Sequence, residues 1–173
     1  LFWHGHFATG ASKVERAAYM VQQNRTLRDH AFGRFEDLLV AVSKDPAMLV
    51  WLDNAQSTKK KPNENYGREL LELFTLGIGN YGEEDVRSAA RAFTGWKQKD
   101  GAFVYEPKEH DDEPKTLFGQ TWPWKGEDVL AALARNPATA QRLADKFVRF
   151  FARDVGDPEL EAALVREYLD SGG

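Results

Sequence analysis

Three Asx-Pro steps do most to limit what this chain can fold into. Asp45-Pro46, Asn136-Pro137 and Asp157-Pro158 each stand at the head of a run with helical apolar spacing. Proline holds φ near the helical value and is tolerated at the first helical position, where its missing N–H costs no hydrogen bond. The Asp or Asn before it accepts from the free N–H groups of the first turn. These steps predict three helix starts. The first leads Met48, Leu49, Trp51 and Leu52, the second turns Leu143, Phe147, Phe150 and Phe151 inward, and the third does the same for Leu160, Leu164, Val165 and Tyr168.

The remaining segments carry a similar periodicity. Ser12-Lys13-Val14-Glu15 fits a capping box, with Ser12 at N-cap and Glu15 at N3. It predicts a helix to about Asp29 with an apolar stripe of Val14, Ala17, Ala18, Val21 and Leu27. Beyond a break at Gly33, helical spacing returns in Phe35, Leu38, Leu39 and Val42. Ala55 to Pro62, with Lys59-Lys60-Lys61, is polar and unpatterned, and so is expected to be a loop. A helix is expected from about Asn63 to Leu76, ended by Gly77 just past its last turn. Another is expected from Glu83 to Trp96, with Val86, Ala89, Ala90 and Phe93 on one side and Arg87 and Arg91 on the other. Phe103-Val104-Tyr105 and Thr116-Leu117-Phe118 are β-prone runs flanking a charged turn, and pairing them would give a small hairpin. The expected class is mainly α: one orthogonal multi-helix domain over residues 1–173, with a small β-hairpin insertion near 103–118.

Composition narrows the function classes. With 23 Lys+Arg against 27 Asp+Glu, the formal net charge is −4, and no basic stripe suits a nucleic-acid partner. No run approaches the ~18 apolar residues of a membrane span. The absence of cysteine excludes disulfides, thiolate metal sites and Cys nucleophiles. Leu1 opens without an initiator Met or a charged leader, so the start is expected to be a cut inside a longer protein or a processed end, the chain being an internal fragment of a larger domain. Apolar faces are then expected to stand exposed where a protein partner or further chain would cover them.

Three stretches could carry chemistry. In an extended Trp3-His4-Gly5-His6-Phe7, residues i and i+2 point the same way, so His4 and His6 could share one metal ion; two hydrogen-bonded histidines at the end of an apolar segment is the plainer reading. On a helix from Asn63, Glu64, Arg68 and Glu72 fall on one face as i,i+4 ion pairs, whereas Glu69 lies beside the apolar stripe with Asn65 one turn before it. A carboxylate there needs a partner, which is an Arg or backbone N–H in a structural role, or a metal or a proton in a chemical one. His110-Asp111-Asp112-Glu113-Pro114-Lys115 sets a His beside carboxylates on a turn, fit for a metal ligand with its orienting group or for a general base, although acidic turns are commonly just solvated. His30 near a helix end suits a structural role. Trp122-Pro123-Trp124 could stack on sugars or form core edge. No G-x-S-x-G, H-E-x-x-H or G-x-G-x-x-G occurs.

Taken in order, these blocks resemble the bacterial family catalogued as domain of unknown function 1800. The resemblance rests on Phe2-Trp3-His4-Gly5-His6-Phe7, Leu27-Arg28-Asp29-His30-Ala31, Ser43 to Met48, Pro62 to Tyr66 running into Arg68 to Gly77, Ala92 to Trp96, His110-Asp111 with Lys115-Thr116, and Asn136 to Ala140. It implies an internal stretch of a longer protein, exported to the periplasm or cell envelope, and names no reaction. The chain departs from the family pattern at Gly67, where a small helix former such as Ala is usual, and at Glu113, where Gly is favoured.

Two function classes follow. In the first, a metal-dependent, hydrolase-like enzyme gathers His4, His6 and His110 around a divalent ion (Zn or Fe), with Glu69, Asp111 and Glu64 as catalytic carboxylates and Asn65, Arg68 and Lys115 in support. In the second, a non-catalytic scaffold or partner-binding module of the envelope uses the same residues as a buried polar network. A glycan-binding surface at Trp122 and Trp124 is a weaker alternative. Convergence of the imidazoles on one point favours the enzyme; hydrogen bonds to backbone and to cationic side chains favour the scaffold.

Overall fold

The computed structural model describes residues 1–173. The chain is mainly helical: Phe2–His6 (α1), Ala11–Val14 (α2), Ala17–Asp29 (α3), Phe35–Ser43 (α4), Pro46–Trp51 (α5), Glu64–Glu69 (α6), Glu83–Ala92 (α7), Gly126–Ala134 (α8), Pro137–Phe147 (α9) and Pro158–Ser171 (α10). All three Asx-Pro steps open helices. Asp45 accepts from the N–H groups of Ala47 and Met48, Asn136 from that of Ala138, and Asp157 from that of Leu160. No helix is long and apolar enough to cross a membrane.

The core lies where α4, α5, α6, α7 and α8 meet, around Leu38, Leu39, Met48, Leu70, Phe93 and Leu130. Gly67 allows α6 and α7 their close approach, because a Cβ there would lie 3.0 Å from the Val86 carbonyl oxygen and 3.1 Å from the Ala90 nitrogen. The helix-propensity loss of ~1 kcal/mol at Gly67 thus accompanies a near contact between backbones.

α6 runs directly into a π-helical turn, Leu70–Thr75, and α9 into another, Val148–Ala152. The first ends as expected at Gly77, whose φ of +81° lets its N–H reach the Leu71 carbonyl at 3.1 Å.

Four expectations need correction. The helix expected from Ser12 to Asp29 is broken at Glu15, which takes a left-handed φ of 57°; Ser12 is not the cap, and the buried positions of α3 are Tyr19, Gln23 and Leu27 rather than Ala17, Ala18 and Val21. The two β-prone runs are strands, but they do not pair with each other. Trp96–Lys99 (β1) pairs with Ala102–Tyr105 (β2), and Lys115–Leu117 (β3) with Gln120–Trp122 (β4), each across its own short turn. Local turns with positive φ at Asp100-Gly101 and Phe118-Gly119 win over the longer connection. Phe150 and Phe151 are exposed because the π turn rotates them off the inward stripe of α9. The α10 helix buries no residue; Tyr168 fixes it by donating to the Ala134 carbonyl at 2.6 Å.

Gly95 ties the β insertion to the helices. Its N–H donates to the Ser57 carbonyl, its own carbonyl accepts from Glu106, its φ is +80°, and a Cβ there would lie 2.6 Å from the Glu106 carbonyl oxygen. Gly95→Ala is expected to destabilise by roughly 2–5 kcal/mol in urea unfolding, the sum of left-handed strain and overpacking. Gly119→Ala, also at positive φ but with open space around it, should show only the strain, about 1–2 kcal/mol. Equal losses would contradict this role for the Gly95–Glu106 contact.

Candidate functional site

The first predicted pair is separated by its own secondary structure. Phe2–His6 is a helix, not an extended strand, so i and i+2 point about 200° apart. His4 is exposed, whereas His6 is buried against Phe7 and Phe74. The two imidazoles therefore do not share an ion.

His6 instead closes a helix end. The π turn leaves the carbonyls of Leu73 and Phe74 without backbone partners. His6 Nε2 donates to the Phe74 oxygen at 3.0 Å, which fixes the tautomer, and His6 Nδ1 accepts from Lys146 Nζ at 3.1 Å. Lys146 and Arg142, one turn apart on α9, also approach the Leu73 oxygen at 3.4 Å. Cations at a helix C-terminus are favoured by its dipole. Burial, helped by the charge of Lys146, drives the imidazole down to about 3, so it is neutral at physiological pH. Burial and the Arg142 charge bring the Lys146 ammonium down to about 8.

His6 and Lys146 form one wall of a cleft of about 510 Å³; Trp51, Asn65, Glu69 and Lys13 form others. Asn63 sets the α6 wall: its side-chain oxygen caps Asn65 N–H, and its amide donates to the Leu52 carbonyl at 2.6 Å, joining the end of α5 to the start of α6. Glu69 is half-buried in this cleft with no hydrogen bond or ion pair, and burial, then the neighbouring Glu72 charge, raises its carboxyl. The rest of this helix face differs from expectation. Arg68 does not pair along the helix with Glu64 or Glu72 but reaches to α7 and grips Glu83 at 2.7 and 2.9 Å. Glu72 accepts from the Tyr81 hydroxyl, and Glu64 is exposed in the first turn of α6.

The third candidate stretch forms a separate network at the end of α7. His110 is buried, and its Nδ1 donates to the Thr94 carbonyl at 2.9 Å. Its Nε2 has no hydrogen-bond partner, with Asp112 3.9 Å away. Asp111 accepts from the Arg91 guanidinium at 2.7 and 3.1 Å. Burial raises that carboxyl, but the hydrogen bonds from Arg91 and the Glu113 N–H and the charges of Arg91 and Lys115 together outweigh it, and the net shift is downward. Lys115 is buried and donates to the carbonyls of Asp111 and Glu113; burial lowers its ammonium.

The expected site is thus two sites. His6, Asn65 and Glu69 share the cleft; His110, Asp111 and Lys115 share the loop network; His4 and Glu64 stand in solvent. No hydrogen bond or ion pair links the two clusters, and no three His, Asp or Glu side chains are grouped to hold a metal ion. Trp122 is exposed while Trp124 packs on the core edge, so their rings make no common platform. His30 accepts its structural role, its Nδ1 donating to the Thr26 carbonyl at the end of α3. Sequence reasoning missed Lys146, Trp51 and Thr94. Lys146 carried a signal: it falls three residues after Leu143, a cation at the edge of the apolar stripe of α9. The largest cavity, about 680 Å³, lies elsewhere, lined by Phe2, Trp3, Phe35, Phe147 and Phe151 with Glu167 as its sole charged residue.

A family model described as "Protein of unknown function (DUF1800)" matches residues 1–173. The chain belongs to the DUF1800 family. No curated protein and no solved structure matches it. In this DUF1800 chain, the block from Phe2 to Phe7 and the block from Pro62 to Gly77 meet at the cleft and supply His6, Asn65 and Glu69.

The His6 environment has a pH signature. The unfolded chain protonates this imidazole near pH 6.5, the fold only near pH 3. Its contribution is complete above about 6.5 and is lost as pH falls toward 3. Asp45, raised by burial to about 6, opposes it: the fold gains at low pH and loses that gain as pH rises through 6. His6→Gln keeps a donor for Phe74 and an acceptor for Lys146 without titrating. Urea unfolding should show it within about 2 kcal/mol of the parent at pH 7 and less sensitive to acid between pH 6.5 and 3. An unchanged acid slope would contradict the assignment.

Proposed function

We propose that this chain is a small-molecule-binding helical domain, with proton-transfer chemistry in the cleft between α1, α5, α6 and α9. Glu69 is the group that carries the proton, Asn65 a polar contact for the ligand, and Lys146 a second reactive group held by His6. One observation carries this reading. Glu69 and Lys146 face the same cleft, yet neither makes an ion pair with the other or with any other side chain. Residues of opposite charge with a purely structural role would pair. Here burial raises the Glu69 carboxyl and lowers the Lys146 ammonium, shifts in the direction that favours proton exchange. The metal-dependent form of the enzyme reading has less support, since His4, His6 and His110 are dispersed over three environments.

The scaffold or partner-binding reading is favoured by a different observation. The Arg91–Asp111–Lys115 network is closed on itself apart from His110 Nε2, and the aromatic groove beside Phe32, Phe150 and Phe151 is open to solvent.

Amide NMR separates the two. Small carbonyl, carboxylate and amine fragments are expected to shift the amides of Gly5, Asn65, Glu69 and Leu73, and Asn65→Trp, which fills the cleft from an exposed position, should weaken that response about tenfold. Shifts confined to Phe2, Phe147 and Phe151, or no saturable shifts, would contradict the cleft reading, and the first would favour the groove.

A further inference from the structure

The reactive group of this cleft can be taken one step further, on the reading just given. Two half-buried lysines find a counter-ion, Lys44 in Glu127 and Lys97 in Glu109, and the buried Lys115 is held by the carbonyls of Asp111 and Glu113. Lys146 has no counter-ion and faces a cleft. Its nitrogen is half-buried, it donates to the neutral His6 Nδ1 at 3.1 Å and lies 3.4 Å from the Leu73 carbonyl, and the charge that weighs most on it is the like charge of Arg142. Asp145, beside it on α9, is already held by Arg149 at 2.7 Å. From α6 the group sharing the cleft is Glu69, itself shifted toward its neutral form, and from α2 it is Lys13, already paired. A lysine amine becomes a nucleophile in these two circumstances, desolvation and a neighbouring cation.

His6 also orients it. Nδ1 has a lone pair and no hydrogen, so it can only accept. The amine therefore directs one N–H at His6, which leaves its lone pair, when deprotonated, free to turn toward the open cleft walled by Trp51 and Leu52.

We propose that Lys146 is a carbonyl-capturing nucleophile, taking aldehyde or ketone substrates as an imine in the cleft it shares with Glu69. The neutral amine nitrogen forms a C–N bond to the carbonyl carbon while the C=O π electrons move to oxygen, and the proton that the nitrogen then loses passes to that oxygen. In the carbinolamine that results, Glu69 in its acid form protonates the hydroxyl, the C–O bond breaks, and water leaves. The nitrogen lone pair forms the C=N bond, and the Glu69 carboxylate remains as counter-ion to the iminium. No oxidant or reductant takes part. Hydrolysis runs the same steps backwards.

The test is reductive trapping of the whole chain with propanal and cyanoborohydride, read by peptide mass spectrometry. Lys59, Lys60 and Lys61, on an exposed loop, are internal references. An amine near 8 is roughly a tenth free base at pH 7, far more than an ordinary lysine. Lys146 is expected to be alkylated at least about tenfold faster than the reference lysines, with a rate that levels off above about pH 8. Lys146→Arg should abolish that adduct and leave the loop adducts unchanged. Glu69→Gln should slow trapping at Lys146 alone. Alkylation of Lys146 at the rate of the loop lysines overturns the proposal. If fragments still shift Gly5 and Asn65 in that case, the imine alone fails and the cleft reading stands; if they do not, both fail.

Discussion

Two backbone carbonyls organise this fold. Where α6 widens into a π turn, Leu73 and Phe74 lose the backbone donors that a continuing helix would supply. The Phe74 carbonyl is buried, and leaving it without a donor would cost about 1–3 kcal/mol, so something else has to meet it. The chain answers with side chains from opposite ends of the sequence: His6 from α1, and Arg142 and Lys146 from α9. That arrangement fixes α1 against the central helices and sets one wall of the cleft. It is also consistent with a neutral His6, which burial and then the Lys146 charge enforce. It donates one N–H to a carbonyl and accepts from a cation, an arrangement that a protonated ring could not keep.

The same constraint explains the chemical character of the cleft. A lysine recruited to a helix end stands near Arg142, its neighbouring carboxylate Asp145 is held by Arg149, and the carboxylate that shares the cleft, Glu69, is left unpaired. Function in this reading uses what helix capping leaves over. The second polar cluster shows the contrast. There Arg91, Asp111 and Lys115 satisfy one another, and the loop they hold together has the look of structure.

How much of this was legible in the sequence follows from the range of each signal. The Asx-Pro steps, the stop at Gly77 and the helical periods were local, and they gave the mainly α class and most helix positions. Failures began where local patterns met tertiary choice. Ser12 and Glu15 had the residue types of a capping box, but the chain turns at Glu15. The strands were found and mispaired, because nearer turns close at smaller entropic cost. The π turns had no sequence signature, and they moved Phe150 and Phe151 outward. For the site, the unusual position of Glu69 beside an apolar stripe was readable, and the structure leaves it unpartnered. The His4–His6 pairing was not, since it depended on a strand where a helix forms. Lys146 was hidden because its meaning lies in a contact with a residue 140 positions away.

The most direct test is the protonation state of the His6 ring, followed by long-range proton–nitrogen NMR on the whole chain from pH 8 to pH 4.5. The account predicts a neutral imidazole carrying its proton on Nε2 throughout that range, with Nδ1 showing the signature of an accepted hydrogen bond. A ring that titrates near pH 6.5, or one that carries its proton on Nδ1, would contradict it.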